Sequence, residues 1–456
     1  MPSPFLPFHM LFPTRFLSGD AAAPIALPPV ASGVGVSGAR TVGDTLTGSY
    51  TYTSPQGTPE SGSVFQWLRA TSAGGAGAAT IPGATGTTYT LVAADEAKFI
   101  SFRVTPSDGT LTGSPVSSTW SGPVKITSAS IALGHVDSPS ISAYPWSGAG
   151  FGSKFADPAS LPAGRGYSVG FTSTDSALAV GHGFSPGVTA YPWSGAGFGS
   201  KFADPAVSPP AEVAGIAFAP ARNAIAVASA ATPYVTAYPW SGAGFGSKFA
   251  DPASLPTGGG RALSFSNNGL SLVMALSAAP YVAAYGWSGS GFGTKFADPS
   301  SSLPGTGRGA VFNSADTAVA VSHNSAPYLA VYAWSGSGFG TKFTDPSPAL
   351  NNITGPVQFS RAGDVLAMPQ HLSPYIAAYA WSGAGFGSRF ADPAVLWGGA
   401  NRTVSFSRGD TALATVSSVS PYLAAYAWSG SGFGTKFADP ASLAPNAGLD
   451  VAFSTL

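Results

Sequence analysis

The chain has 456 residues, 20 basic and 20 acidic, so its formal net charge is zero and only 9% of it is charged. With no basic run, nothing in it suggests electrostatic capture of nucleic acid or of an anionic membrane, and without cysteine it has no disulfide framework, thiolate metal site or thiol nucleophile. The 59 Gly without a three-residue period exclude collagen, and 44% hydrophobic content argues against disorder, leaving an all-β protein with little material for amphipathic helices.

Residues 1–30 are rich in proline and apolar side chains. Pro2, Pro4, Pro7 and Pro13 interrupt any secretory-type apolar stretch, and Arg15 follows the apolar part instead of preceding it. No stretch of the chain reaches the ~20 apolar residues a membrane helix needs, so no membrane insertion is expected. Phe5, Phe8, Phe12 and Phe16 are too apolar for a solvated tail, and the segment reads as an extended anchor that buries them against a partner.

Residues 31–122 break into short alternating segments separated by turn chemistry. Thr45 to Thr53, Val64 to Arg69, Thr88 to Leu91 and Phe99 to Val104 read as strands of a sandwich. With Trp67 in the place of a core tryptophan, the pattern resembles the Ig-like modules of bacterial surface and phage tail proteins. Phe99 stands where that family has its corner tyrosine and Ser101 where it has its second cysteine, so packing alone must hold the sandwich.

Residues 123–456 are governed by a repeat. Trp146, Trp193, Trp240, Trp287, Trp334, Trp381 and Trp428 follow one another at steps of 47, and the prolines from Pro139 to Pro421 keep the same step. Each unit predicts four strands, exemplified by Gly166 to Phe171, Ala177 to His182, Val188 to Trp193 and Phe198 to Ala203. The array opens on a second strand (Ile131 to His135) and ends on an unpartnered first strand (Val451 and Phe453), so the two ends complete one blade. The expectation is a closed seven-bladed β-propeller behind an Ig-like β-sandwich. The units resemble WD40-like propeller repeats, without the His and Trp-Asp signatures of that family.

The glycine-rich turn Gly148 to Gly152 lies between two strands and reads as a hairpin, not a phosphate loop. The Lys column from Lys154 to Lys436 and the Asp column three residues later read as a solvated outer edge. His135, His182 and His323 share one register but sit in units that are not all neighbours, so no metal site is expected. Arg408-Gly409-Asp410 falls in an ordinary turn, and no catalytic set or cofactor motif is found. The linkers entering each first strand vary most, and Trp397, Asn401, Arg402, Arg165, Arg261 and Arg308 lie there as candidate glycan or protein contacts.

The order of anchor, Ig-like spacer and propeller resembles virion appendages, and the repeats resemble those of marine tailed-phage proteins. The resemblance implies a non-catalytic structural or adhesive virion component, in a tail tip, fibre or head decoration. It would bind other virion proteins through its N-terminus and display the propeller to a host-surface glycan or protein, as a homo-oligomer in a larger assembly. The alternatives are a secreted or surface bacterial carbohydrate-binding protein and, third, a propeller glycan hydrolase or lyase.

Overall fold

The computed structural model describes residues 26–40, 44–95, 98–124, 129–220, 223–352 and 355–454. The phenylalanines expected to form an anchor, Phe5, Phe8, Phe12 and Phe16, lie outside the described residues. The chain divides into two compact units, Met1–Ile126 and Thr127–Leu456. It is all-β, interrupted among the described residues only by the short 3-10 turns Ala93–Asp95 and Arg408–Asp410.

In the first unit Val30–Ser37, Thr45–Thr53 and Thr88–Thr90 form one antiparallel sheet. Ala79–Thr80, Val64–Ala70, Phe99–Thr105 and Val116–Ser117 form another. Trp67 is fully buried, its ring 5.0 Å from that of Phe102 and its Nε1 donating to the Gly86 carbonyl at 2.9 Å. Asp95 is buried as well, paired with Arg69 at 2.5 Å and accepting from the Tyr89 hydroxyl at 2.7 Å. A buried carboxylate tolerates its desolvation only with such partners. Ser101 is buried and donates to the Ser118 carbonyl.

The second unit is a β-propeller-like array with one antiparallel sheet per repeat. Gly166–Phe171, Ala177–His182 and Val188–Pro192 pair in chain order, and the sheets that follow repeat this order. The last strand, Gly448–Phe453, does not begin a new sheet. It pairs with Ala129–His135, Val451 opposite Leu133 and Phe453 opposite Ile131, and so completes the first sheet across more than three hundred residues of sequence.

The same packing unit holds each seam. The Trp193 ring meets Phe198 of its own repeat, Phe171 of the first strand and Phe155 of the preceding repeat at 5.2, 5.5 and 5.2 Å, all edge-on. Trp146 is caged in the same way by Phe151, Phe437 and Phe453, at 5.0, 5.0 and 5.1 Å. Edge-to-face pairs add ~0.5–1.5 kcal/mol each beyond the area they bury. The seam joining the chain ends therefore has the same packing as the internal ones.

The fourth strand departs from expectation. It spans two residues after Pro145 and Pro239 (Gly150–Phe151 and Gly244–Phe245), and after Pro192 only a bridge between Trp193 and Phe198 forms. Where Gly286, Ala333, Ala380 or Ala427 takes the proline's place, it runs over four or five residues, as in Phe292–Lys295 and Gly385–Arg389. Proline has no N–H to give to the ladder, and this single position sets the strand's length.

Candidate functional site

The first strand of each sheet is the innermost, and together these strands line a cavity of about 420 Å³. Each fully formed first strand carries a bulge after its first residue, as between Gly166 and Ser168. The bulge sets the register of the next residue, which is Ser168, Gly215, Ala262, Gly309, Pro356, Thr403 and Asp450 in successive sheets. Strand closure makes the three polar members of this register neighbours, because Gly448–Phe453 lies between Asn401–Phe406 and Gly166–Phe171.

At these three positions side chains bridge the seams. The Thr403 hydroxyl accepts from the Val451 N–H at 3.1 Å, Asp450 Oδ2 from the Val169 N–H at 2.9 Å, and Ser168 Oγ from the Ile216 N–H at 3.2 Å. The other four members carry no acceptor, so this register offers none to the N–H groups of Leu263, Ala310, Val357 and Val404. At Gly215 a side chain is excluded outright, since a Cβ would lie 2.8 Å from Ala262 Cα. One arc of the wall is therefore closed by side chains and the other by close backbone approach.

Asp450 is the only carboxylate among the residues lining the cavity, and Arg361 is the only cation. Burial pushes Asp450 up to about 6, against the opposing pull of the Val169 N–H, the Ser168 hydroxyl and two further hydrogen bonds. It is thus ionised at neutral pH and able to take a proton just below it. Arg361 stands toward the opposite end of the cavity, beside Asn267, Ser314 and Ser360. There Asp410 accepts the backbone N–H groups of Arg361 and Ala362 at 2.9 and 2.8 Å, so the aspartate of Arg408-Gly409-Asp410 joins adjacent turns.

The linker end has a different chemistry. A buried tyrosine from each third strand pins the linker entering the first, as Tyr191 does by donating to the Ser160 carbonyl at 2.6 Å and Tyr238 to the Val207 carbonyl at 2.8 Å. Of the predicted contacts here, Arg165 and Arg402 are exposed and Arg308 is half-buried. Trp397 and Asn401 are corrections. Trp397 is only 6% exposed and packs on Ala424, Tyr426 and Phe433, while Asn401 is 1% exposed, so neither offers a surface to a partner. A tryptophan in a variable linker carries enough apolar area to be drawn into the seam beside it.

The sequence reading missed Asp450, because its strand was read only for its role in closure. The available signal was that one member of a register of small residues is charged.

His135, His182 and His323 are buried in separate sheets. His135 Nε2 lies 3.0 Å from Ser142 Oγ and His182 Nε2 lies 2.9 Å from Thr189 Oγ1, whereas His323 faces Ala330 in that register and its Nε2 has no partner. Burial draws all three imidazoles down to about 4. Each outer-edge cation is paired with the aspartate three residues on, as Lys154 with Asp157 at 2.5 Å and Lys201 with Asp204 at 2.7 Å.

No known family matches the sequence, and no curated protein is similar to it. Solved structures share its fold. The periplasmic gluconolactonase of Pseudomonas aeruginosa matches 72% of this chain and 99% of its own at 14% identity, with a TM-score of 0.56. A Lactobacillus plantarum protein matches the same shares at 14% identity and a TM-score of 0.57. A Bacteroides uniformis protein that carries the provisional name 6-phosphogluconolactonase matches them at 10% identity and a TM-score of 0.56. At these identities the likeness shows the fold alone. It overturns the expectation of a chain without catalysis, because a gluconolactonase uses the same architecture and the architecture gives no ground for excluding an enzyme.

Proposed function

We propose that the second unit is a closed seven-bladed propeller that binds a small polyhydroxylated ester or lactone in its central channel and hydrolyses it, with Asp450 as general base. The observation that carries this reading is Asp450 itself, the lone carboxylate lining the cavity, with a pKa of about 6. The ionised Asp450 takes a proton from a water as that water's oxygen bonds to the carbonyl carbon. The ester C–O bond then breaks, its electron pair stays with the leaving oxygen, and Asp450 returns the proton there. The backbone N–H groups of the acceptor-free arc are of the kind that stabilises the developing oxyanion.

The test is hydrolysis of glucono-δ-lactone by the purified chain, followed by pH-stat titration against the spontaneous rate. The rate should rise with pH through an inflection near 6. Asp450→Asn should lower kcat by ~10²-fold or more while the melting temperature stays close to that of the natural chain. No rate above background, or full activity in Asp450→Asn, rejects the reading.

A second reading concerns location. We infer display on a tailed-phage particle, with residues 31–122 as an Ig-like spacer and the linker end of the propeller facing outward. Supporting it, Phe184, Leu372, Val395 and Val419 are 70, 56, 57 and 49% exposed on the loops and linkers of that end, apolar area that a partner surface would cover. Mass spectrometry of purified particles tests this, and absence of the chain from every particle fraction rejects it.

A further inference from the structure

One residue before the register that holds Asp450, the first strands present Tyr167, Ala214, Arg261, Arg308, Gly355, Arg402 and Leu449 in successive sheets. This register has three arginines and no carboxylate. The arginines fall within four consecutive sheets, and the fourth member of the arc is Gly355, where a Cβ would overlap the Arg402 carbonyl oxygen. The register thus places three cations at the linker end of the first strands, outside the cavity lining itself, and leaves a side-chain-free gap between two of them.

Nothing neutralises this arc among the described residues. Arg165, Arg261, Arg308 and Arg402 form no ion pair, whereas the outer-edge cations are each paired with an aspartate. Arg308 is half-buried, and its Nε is enclosed without a hydrogen-bond partner. Its affinity for its proton is lowered first by burial and then by the neighbouring Arg261 charge. Bringing like charges together and desolvating one of them is unfavourable unless a counter-charge is recruited. The nearby carboxylates are Glu212, two residues before Ala214 of this register in a neighbouring sheet, and Asp450, which is held by the seam bonds described above.

We propose that Arg261, Arg308 and Arg402 form a binding site for a phosphate-type dianion, either a soluble phosphate monoester or the monoester headgroup of a lipid. Planar guanidinium groups match two oxygens of such an anion at once, and three of them supply more donors than its oxygens can saturate. Water, by contrast, would leave the repulsion in place. The site does not depend on hydrolysis in the channel and stands or falls separately from it.

The experiment measures thermal unfolding of the full chain with increasing inorganic phosphate, with chloride at equal ionic strength as reference. Phosphate should raise the melting temperature in a saturable way. Arg308→Gln should melt higher than the natural chain in chloride, because the repulsion is relieved, yet lose the phosphate-induced rise. Arg261→Gln/Arg402→Gln should weaken phosphate binding about tenfold or more by calorimetry, while Arg408→Gln at the opposite end should leave it unchanged. Vesicles containing phosphatidic acid separate the two sources. Co-sedimentation that phosphate competes away and Arg308→Gln abolishes assigns the lipid headgroup, and its absence alongside phosphate binding assigns the soluble monoester. The same phosphate shift in Arg308→Gln as in the natural chain, or no shift up to ~10 mM phosphate (a free energy near −2.7 kcal/mol at most), overturns the proposal.

Discussion

The rim and the channel of the second unit are built by the same repeat under opposite constraints. At the rim, every tryptophan is caged by three phenylalanines and every outer-strand cation meets an aspartate three residues on. In the channel, equivalent positions hold Ser, Gly, Ala, Pro, Thr or Asp, and no two adjacent sheets present the same residue in the Asp450 register. Identity at the rim follows from packing, since each cage must accept the next repeat's strand. In the channel each seam is closed either by a side-chain hydrogen bond or by close backbone approach, so neighbouring sheets carry different residues there and one of them carries chemistry.

The largest test of this comparison is to break one cage at the closing seam. Phe453→Ala removes a phenylalanine that is only 4% exposed and stacks edge-on against Trp146. It should cost ~3–5 kcal/mol in chemical denaturation. Phe406→Ala, at the internal cage of Trp428, should cost about as much. A much smaller loss at Phe453 would mean that the closing seam is weaker than the internal ones.

Acid is the next lever. His135, His182 and His323 have imidazoles held near 4 in the folded chain against an ordinary 6.5. A histidine with a lowered folded pKa contributes stability that is complete above pH 6.5 and is lost as the pH falls toward 4. Asp450 works the other way, because its raised pKa makes the fold gain as the pH falls through 6. Three groups outweigh one, so unfolding free energy should drop by several kcal/mol between about pH 6.5 and 4. His182→Ser, the residue found at Ser229, should flatten that slope by roughly half, since Asp450 already offsets part of what the three histidines contribute. An unchanged slope would place the acid sensitivity elsewhere.

A smaller effect is expected where the histidine register lacks its hydroxyl. Ala330→Ser should give His323 the partner that Ser142 gives His135, and stabilise the chain by ~1 kcal/mol or slightly less. No gain would mean that the serine cannot reach Nε2 in this packing.

The smallest effect concerns Pro192. Pro192→Ala should extend the fourth strand of that sheet toward the length seen after Ala333, and slow amide exchange near Phe198 and Lys201. The melting temperature should barely move, because the new ladder bond is offset by ~0.4–1 kcal/mol of added unfolded-state entropy. Exchange as fast as in the natural chain would reject proline as the cause.

The period of 47, the first, second and third strands, the outer ion pairs and the pairing of Phe453 with the start of the second unit could all be read from the residues in order. They depend on local alternation, turn chemistry and repetition, which are linear properties. The length of the fourth strand was not legible: Phe198 to Ala203 reads as a full strand, and the contrast of Pro192 with Ala333 has meaning only once the pairing partner of that position is known. Burial of Trp397 was not legible either, because the area that receives it belongs to Ala424 and Tyr426 in the following strands. Nor could the meeting of Thr403, Asp450 and Ser168 be seen, since Asp450 and Ser168 lie at opposite ends of the repeat array and meet only when the last strand joins the first sheet. The pKa of Asp450 arises there as well, whereas the unpaired arginine arc comes from the stacking of four consecutive sheets. Desolvation and charge proximity are properties of neighbours in space, and in this chain those neighbours are chosen by stacking and by closure.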